Sequence, residues 1–315
     1  MDFVVREKNF TRGIILGALS AACYGVNPTA LYLYQSGFSP MVVLMYRYLF
    51  AALFITLLLL VRREQFKCTK SEFWRLILMG IIFSLSSLTL FVSYQYIPVS
   101  IASTLLFCYP AFVAIVMAIA YKEKISKLQS VGMIMVCLGI ILLNIKPEEG
   151  DAIDFTKMLF GICLVILSSL LYAIYIVATQ QDKILSRVSS ARLSFYSIVV
   201  GSILYSIAVL TNIFNYSTIC LSSDRDWLCA ISLGLFPTLI SITLLAKSIH
   251  DVGPTIAAIL GAFEPITAVA IGMILFQERP SWLSFLSMAI IIIGISIVIV
   301  RGKTKQKESQ IITNS

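Results

Sequence analysis

The stretch that decides the fold is residues 256–278, IAAILGAFEPITAVAIGMILFQE, because it repeats residues 101–123, IASTLLFCYPAFVAIVMAIAYKE, at a constant distance of 155 residues. In each copy, a proline within an apolar run precedes by 13 residues a glutamate that ends the run. Each run is as long as the roughly 20 apolar residues that cross a bilayer as a helix. The repeat therefore predicts two corresponding membrane-spanning helices.

The composition extends this prediction to the whole chain. Of the 315 residues, 59% are hydrophobic and only 13% are charged, and the mean hydropathy is +0.93. A typical soluble domain is about a quarter charged, since it must cover its surface with groups that face water. The composition excludes an ordinary soluble enzyme, a disordered regulator and a secreted disulfide scaffold. It predicts an all-α polytopic membrane protein.

The apolar runs predict ten transmembrane helices. Their approximate positions are 13–34, 40–61, 73–96, 99–121, 128–145, 157–179, 190–214, 227–249, 252–276 and 282–300. The connections and tails between them are too short to form independent domains, which need about 40 residues or more. We therefore expect the function to reside in the membrane bundle itself.

The basic residues predict the orientation of these spans. With the N-terminus in the cytoplasm, 19 of the 24 Lys and Arg residues fall in cytoplasmic connections, four in external ones, and Arg47 lies inside a span. Lys and Arg accumulate on the cytoplasmic side of membrane proteins. The asymmetry predicts a protein of the cytoplasmic (inner) membrane with both termini in the cytoplasm. It also explains the net charge of +8 without nucleic acid as a partner.

The internal repeat continues beyond the first stretch. The shift of 155 residues also matches Gly139 with Gly294, and a weaker shift of 148 matches three pairs near the start of each half: Gly13 and Gly161, Ser20 and Ser168, Tyr24 and Tyr172. The chain thus divides into residues 1–150 and 151–315, the second ending in a short basic cytoplasmic tail. Since each half contains an odd number of spans, the second half enters the membrane from the opposite side. This predicts two inverted five-helix repeats.

Two motifs carry a resemblance to a known family. Tyr109-Pro110 is followed by Lys122-Glu123-Lys124, and Glu264-Pro265 is followed by Gln277-Glu278-Arg279. In this respect the chain resembles the drug/metabolite transporter superfamily, specifically proteins of the EamA-domain family with two EamA-type five-helix repeats. The resemblance implies that helices 1–4 and 6–9 surround a central cavity, with helices 5 and 10 at the periphery. It leaves the solute open, because such proteins carry amino acids, amines, sugars, nucleotide-linked metabolites and drugs.

Glu264 is the only acidic residue inside a predicted span. A charged carboxylate at bilayer depth is costly unless it is paired or hydrated, so we expect Glu264 to face the cavity. It then serves either as a cation or proton site, or as a structural hydrogen-bonding group beside the proline break.

Arg47 lies seven residues into the second span. It can bind a carboxylate or phosphate of the substrate, pair with Glu264, or extend to the outer headgroups. One arginine and one glutamate in the cavity would suit a zwitterion such as an amino acid.

The remaining candidates are aromatic residues and helix breaks. Aromatic faces can bind cations, although core packing and interfacial belts explain most membrane tyrosines. The substrate-binding candidates beside Glu264 and Arg47 are Asn27, Tyr24, Tyr46, Tyr94, Tyr109, Tyr172 and Tyr175. Pro28, Pro110 and Pro265 are candidate helix breaks at the cavity, since proline removes a helix hydrogen bond; simple kinks are the alternative.

These observations predict a secondary transporter that moves an amino acid or an amine by alternating access, export being one open direction. A proton or a counter-solute is the candidate coupling partner, and the protein is a monomer or a homodimer. No metal, cofactor or enzymatic activity is expected, because His250 is the only histidine and no catalytic or nucleotide-binding motif is present. The alternatives are a nucleotide-sugar or phosphorylated-metabolite exchanger, which would need several basic residues in the cavity, and a non-transporting membrane scaffold or sensor.

Overall fold

The computed structural model describes residues 3–61, 63, 68–97, 102, 105–122, 126–143, 155–211, 219–275 and 282–314. The helices are α1 (Phe3–Tyr24), α2 (Ala30–Gln35), α3 (Pro40–Val61), α4 (Lys70–Ser93), α5 (Tyr109–Tyr121), α6 (Lys127–Leu143), α7 (Phe155–Gln181), α8 (Ser190–Leu210), α9 (Asp224–Leu233), α10 (Ser241–Val252), α11 (Pro254–Leu260), α12 (Phe263–Leu275) and α13 (Trp282–Asn314). A π-helix, Gly234–Ile240, joins α9 to α10, and 3-10 turns lie at Asn27–Thr29 and Leu185–Arg187. All regular structure in the described residues is helical.

Helix length and composition identify a membrane protein. Among the described residues, six segments are long and apolar enough to cross a membrane: Pro40–Val61, Lys70–Ser93, Phe155–Gln181, Ser190–Leu210, Asp224–Val252 and Pro254–Ile271. Four shorter apolar helices are Phe10–Tyr24, Tyr109–Tyr121, Lys127–Leu142 and Trp282–Val298. All ten segments overlap the ten predicted spans. The lengths support six crossings directly, and two of the short segments lie next to helix interruptions that shorten them.

The outer surface is apolar, as contact with lipid requires. Large hydrophobic side chains such as Val61 and Leu210 are each 82% exposed. Ile119 and Ile274, which are separated by the repeat distance of 155 residues, are both 76% exposed. Corresponding positions of the two halves therefore face the same environment.

The helix pairs follow the internal repeat. Helix α1 packs on α10, and α7 packs on α4, while α3 packs on α8 and α6 packs on α13. If the first five predicted spans are exchanged with the last five, the pair of α1 and α10 becomes the pair of α7 and α4. The same exchange leaves the other two pairs unchanged. The packing is thus nearly symmetric with respect to the two halves of the chain.

Four serines show this symmetry at the level of single hydrogen bonds. The Ser20 hydroxyl donates to the Ser241 carbonyl at 2.8 Å, and the Ser168 hydroxyl donates to the Ser86 carbonyl at 2.7 Å. Ser20 and Ser168 are related by the shift of 148 residues, and Ser86 and Ser241 by the shift of 155. One contact is therefore made twice, so the two sequence shifts belong to one structural relationship.

Four glycines repeat a close approach in the same way. A Cβ at Gly139 would lie 2.7 Å from the Ile291 side chain, and a Cβ at Gly294 would lie 2.9 Å from the side chain of Val136. The shift of 155 exchanges these two contacts. Similarly, Gly13 packs against Val252 and Gly161 against Ile97. The absence of a side chain at these positions lets the paired helices approach closely.

The helices are interrupted next to three prolines of the sequence. Residues 107–108 form a turn before Pro110, the second residue of α5, and residues 261–262 form a turn before α12, in which Pro265 is the third residue. Pro28 lies in the 3-10 turn after α1. A proline near a helix start loses no hydrogen bond, because the first amides of a helix have no intrahelical acceptor. The glutamates of the repeat, Glu123 and Glu278, lie outside the described residues.

Candidate functional site

Glu264 is placed in the interior by the interruption between α11 and α12. It is the second residue of α12, and its amide donates to the Gly261 carbonyl at 2.9 Å. Its carboxyl interacts with the side chain of Asn27 and, electrostatically, with Arg47. A carboxylate in the first turn of a helix is also stabilised by the positive end of the helix dipole.

Arg47 is fully enclosed by the protein, with 1% of its surface exposed. Its Nε donates to the Thr238 hydroxyl at 2.6 Å, Nη1 to the Asn27 Oδ1 at 3.0 Å, and Nη2 to the Pro237 carbonyl at 3.4 Å. The side chain therefore does not extend to the headgroups, as one alternative from the sequence had it. It is bound within the bundle instead.

The π-helix provides two of these acceptors. Pro237 has no N–H, so the carbonyl of Leu233 lacks its usual helical donor, and the Thr238 hydroxyl donates to it at 2.9 Å. This bond orients the Thr238 oxygen as an acceptor for Arg47. Wider π-helical geometry also turns a backbone carbonyl, that of Pro237, toward the guanidinium.

Two aromatic rings accompany the guanidinium. The Cζ of Arg47 lies 5.4 Å from the ring centre of Tyr24 and 5.6 Å from that of Phe91. Both distances are within the range of a cation–π interaction. The ring of Tyr94 lies 5.4 Å from Phe91, so this tyrosine adjoins the group that covers Arg47.

Asn27 links the two charged residues. Its Oδ1 accepts from Arg47, and its side chain also interacts with the carboxyl of Glu264. Among the described residues the ion pairs are Arg12–Asp251 and Arg75–Asp182, so Arg47 and Glu264 interact without direct contact. We call Arg47, Asn27 and Glu264 the bridged triad.

Tyr109 and Tyr172 form an aromatic pair that interacts with Glu264. The hydroxyls of Tyr24, Tyr109 and Tyr172 all interact electrostatically with its carboxyl. The rings of Tyr109 and Tyr172 are 4.8 Å apart in an edge-to-face arrangement. The Tyr109 hydroxyl donates to the Ala258 carbonyl at 2.9 Å. A Cβ at position 261 would overlap the Tyr109 hydroxyl. The hydroxyl can therefore reach the Ala258 carbonyl only because residue 261 is a glycine.

Several residues of this group retain accessible surface although they lie deep among the helices. Glu264, Asn27, Tyr24, Tyr94 and Tyr172 are half-buried, whereas Arg47 beside them is 1% exposed. We call the partly exposed surface of these five residues the cleft. Nearby, the hydroxyl of Tyr34 is buried without a hydrogen-bond partner and interacts electrostatically with Arg47 and Tyr94.

The structure places two of the candidate tyrosines elsewhere. The Tyr46 hydroxyl donates to the Ile219 carbonyl at 2.9 Å, in a connection that the charge pattern assigns to the outside. Tyr175 is 1% exposed, with its ring centre 4.9 Å from that of Phe83. Tyr46 thus lies apart from the bridged triad, and Tyr175 is connected to it only indirectly, through its electrostatic interactions with Tyr24 and Tyr172.

Sequence reasoning missed Thr238, Phe91, Tyr34 and Gly261. The signal that could have pointed to Thr238 is Pro237, a proline inside an apolar run. Phe91, Tyr34 and Gly261 have no distinguishing pattern. Within the part of the chain that the structure describes, no three His, Cys, Asp or Glu side chains are grouped as a metal site would require.

The chain matches a family model twice. The model of the EamA-like transporter family covers residues 11–145 and 159–300. Among curated proteins, an uncharacterized transporter of Archaeoglobus fulgidus is 26% identical over 289 residues, which make up 90% of this chain and 98% of that protein. Another uncharacterized transporter of the same organism is 26% identical over 199 residues, which cover 63% of this chain and 66% of that protein, slightly less than two thirds of its length.

A solved structure shares the fold. It aligns with a TM-score of 0.75 over 93% of this chain and 99% of the other chain, at 15% sequence identity. At this identity the similarity concerns the arrangement of helices alone.

Proposed function

The chain belongs to the EamA-like transporter family, and on this premise we propose that it is a secondary transporter for a small polar organic solute, an amino acid or an amine. In this proposal it works by alternating access in the cytoplasmic membrane. Its site is the cleft around the bridged triad, lined by Tyr24, Tyr94, Tyr109 and Tyr172.

The observation that carries this proposal is that both halves of the chain supply side chains to the site. Asn27 and Arg47 come from the first half of the chain, and Glu264 and Thr238 from the second. A group that is held jointly by both halves is altered when one half moves relative to the other. In transporters built from inverted repeats, the substrate site lies at the interface between the two repeats.

The proposed membrane arrangement has ten spans in two inverted five-helix repeats, residues 1–150 and 151–315, with both termini in the cytoplasm. Support comes from the duplicated serine and glycine contacts and from the distribution of Lys and Arg along the sequence. The interruptions next to Pro28, Pro110 and Pro265 lie beside the site in this arrangement. Backbone without regular helical bonding is tolerated at membrane depth where it lines a cavity.

The carboxylate of Glu264 also provides a way to couple solute transport to a proton or a counter-solute. A proton neutralises Glu264, and a bound solute covers it, so the two compete for one position. We propose that a proton or a counter-solute drives transport through this competition. Monomer and homodimer are both compatible with the site, because every residue assigned to it comes from one chain.

An exchanger of nucleotide sugars or phosphorylated metabolites has less support. Phosphate groups need several basic residues that can reach them. Arg47, the basic residue of this group, is enclosed and already bound to protein acceptors.

Counterflow into proteoliposomes tests the proposed function. Purified protein is reconstituted and loaded in turn with unlabelled amino acids and amines, and the uptake of the same radiolabelled solute is measured. At least one solute should accumulate well above the level in protein-free liposomes. Failure of the whole panel, with protein that is monodisperse and melts cooperatively, would overturn the proposal.

A further inference from the structure

The two charged residues of the site differ in how far the protein has already satisfied them. A guanidinium offers five N–H donors, and in Arg47 three of them donate to Thr238, Asn27 and the Pro237 carbonyl. The ring of Tyr24 also lies beside the guanidinium, with the Cζ of Arg47 5.4 Å from the ring centre. With 1% of the residue exposed, a solute carboxylate could bind it only by displacing these partners.

The carboxyl group of Glu264, in contrast to the guanidinium of Arg47, has few hydrogen-bond partners among the described residues. Glu264 is half-buried, and among the described residues the uncharged amide side chain that interacts with its carboxyl is that of Asn27. A carboxylate can accept about four hydrogen bonds, so the described residues leave most of this capacity available on the side of the cleft. The accessible charge of the site is therefore negative.

The surroundings of Glu264 suit a cation. Tyr24, Tyr109 and Tyr172 interact with it electrostatically, the rings of Tyr109 and Tyr172 lie 4.8 Å apart, and the faces of aromatic rings attract ammonium groups. Asn27 separates the guanidinium from the carboxylate. An ammonium in contact with the open side of Glu264 is thus closer to the carboxylate than to Arg47.

The internal repeat supplies an independent argument. The shift of 155 residues places Tyr109 at the position of Glu264, and each lies at the start of a helix that follows an interruption. The first half therefore contributes a neutral phenol where the second half contributes a carboxylate. The site has one anionic position, not two.

We propose that the substrate is an organic cation whose ammonium group binds Glu264 between the tyrosine rings, and that Arg47 is a positioning residue which holds Asn27 and the π-helix. This inference rests on the proposed transport function and narrows it. It replaces the zwitterion suggested by one arginine and one glutamate with an amine that carries no carboxylate.

Two matched sets of compounds test the charge preference. Tyramine, tyrosine and 3-(4-hydroxyphenyl)propionate differ only in their charged groups, as do isopentylamine, leucine and 4-methylpentanoate. Each is measured by counterflow and by thermal stabilisation of the purified protein. The amine of at least one set should exchange about tenfold faster, or more, than its zwitterion and its acid, because the latter two bring a carboxylate that finds no donor.

The outcomes separate the two proposals. If zwitterions or acids are transported as well as the amines, or if no amine binds while another solute of the panel is transported, the inference is wrong and the transport function stands. If no solute of any kind is transported, the proposed function is wrong.

Arg47 variants test the positioning role. Arg47→Met should slow the transport of every solute while leaving the ratio of amine to zwitterion unchanged, since Arg47 contacts Asn27 and not the substrate. Selective loss of zwitterion transport would assign Arg47 to the substrate and overturn the inference. If Arg47→Met fails to fold, the ratio of amine to zwitterion transport is measured with Arg47→Lys instead, and it should again be unchanged.

Discussion

Arg47 and Glu264 are joined through the side chain of Asn27, which accepts a hydrogen bond from the guanidinium at 3.0 Å and also interacts with the carboxyl. The two charges lie 217 positions apart in the sequence and on opposite halves of the protein. A change at Arg47 should therefore lower the stability of the bundle, whereas a change at Glu264 should act on the binding site.

Glu264→Gln should abolish counterflow while preserving the fold. Glutamine retains the shape and one acceptor for Asn27 but removes the negative charge. Transport should fall to the level of protein-free liposomes, and the melting temperature should stay the same or rise, because a buried charge has been removed.

The matched control for this variant is Glu72→Gln. Glu72 caps the start of α4 by accepting from the Thr69 amide at 2.7 Å, and glutamine serves equally in this capping box. This variant should transport normally. Undiminished transport by Glu264→Gln would contradict the assignment of Glu264 to the site.

Arg47→Lys should destabilise the protein. A lysine keeps the charge, but its single ammonium cannot reproduce the planar arrangement of donors toward Thr238, Asn27 and the Pro237 carbonyl. We expect a loss of about 2 kcal/mol, measured as a lower melting temperature in detergent. The same change at the exposed Arg63 should have little effect. If Arg47→Lys and Arg63→Lys melt at the same temperature, the hydrogen bonds of Arg47 do not stabilise the protein.

Gly261→Ala should displace Tyr109 from its position. The added methyl group overlaps the Tyr109 hydroxyl, so the hydrogen bond to Ala258 must break and the ring must shift away from Tyr172. A loss of about 2 kcal/mol is expected from overpacking.

The double variant Gly261→Ala with Tyr109→Phe tests the cause of this loss. Removal of the hydroxyl relieves the closest part of the overlap, so the double variant should be more stable than Gly261→Ala alone. Strict additivity of the two changes would mean that Tyr109 is not responsible.

The ion pair between Arg12 and Asp251 should contribute to holding α1 against α10. Two donors of Arg12 reach the carboxylate at 2.8 and 2.9 Å, and the side chain of Asp251 is 6% exposed while that of Arg12 is 59% exposed. Solvent screening at Arg12 limits the coupling to about 1 kcal/mol. A double-mutant cycle with Arg12→Gln and Asp251→Asn measures it, and a coupling energy of zero would contradict the contact.

Two native cysteines report the orientation of the chain. Cys220 is exposed in a connection that the charge pattern places outside, and Cys68 lies in one that it places in the cytoplasm. A variant that retains only Cys220 should react with a membrane-impermeant maleimide in intact cells. A variant that retains only Cys68 should react in inverted vesicles instead. The reverse pattern would invert the proposed topology.

Most of the fold could be predicted from sequence, because the signals act within single helices. The length of apolar runs, the loss of a hydrogen bond at proline and the charge of a connection each depend on neighbouring residues only. For this reason the helices, the interruptions next to Pro110 and Pro265, and the repeat distance of 155 residues agree with the sequence patterns. The duplicated Ser20 and Ser168 contacts follow from the same repeat.

The membership of the site could be predicted only in part. Glu264 was identifiable because a lone acid in an apolar helix has few tolerable surroundings. The tyrosines were not separable, since nothing local distinguishes Tyr172, which interacts with Glu264, from Tyr46, which bonds to Ile219 far from it. Their different roles depend on which helix faces each ring.

The sequence by itself thus determined the class of protein, the division into repeats and the presence of one acid and one arginine within apolar segments. Only the tertiary structure decided what those two residues do. A side chain's charge is set by its own chemistry, but its availability to a solute depends on the acceptors that distant segments bring to it. The π-helix satisfies Arg47 from 190 residues away, whereas no comparable donor reaches the open side of Glu264 among the described residues.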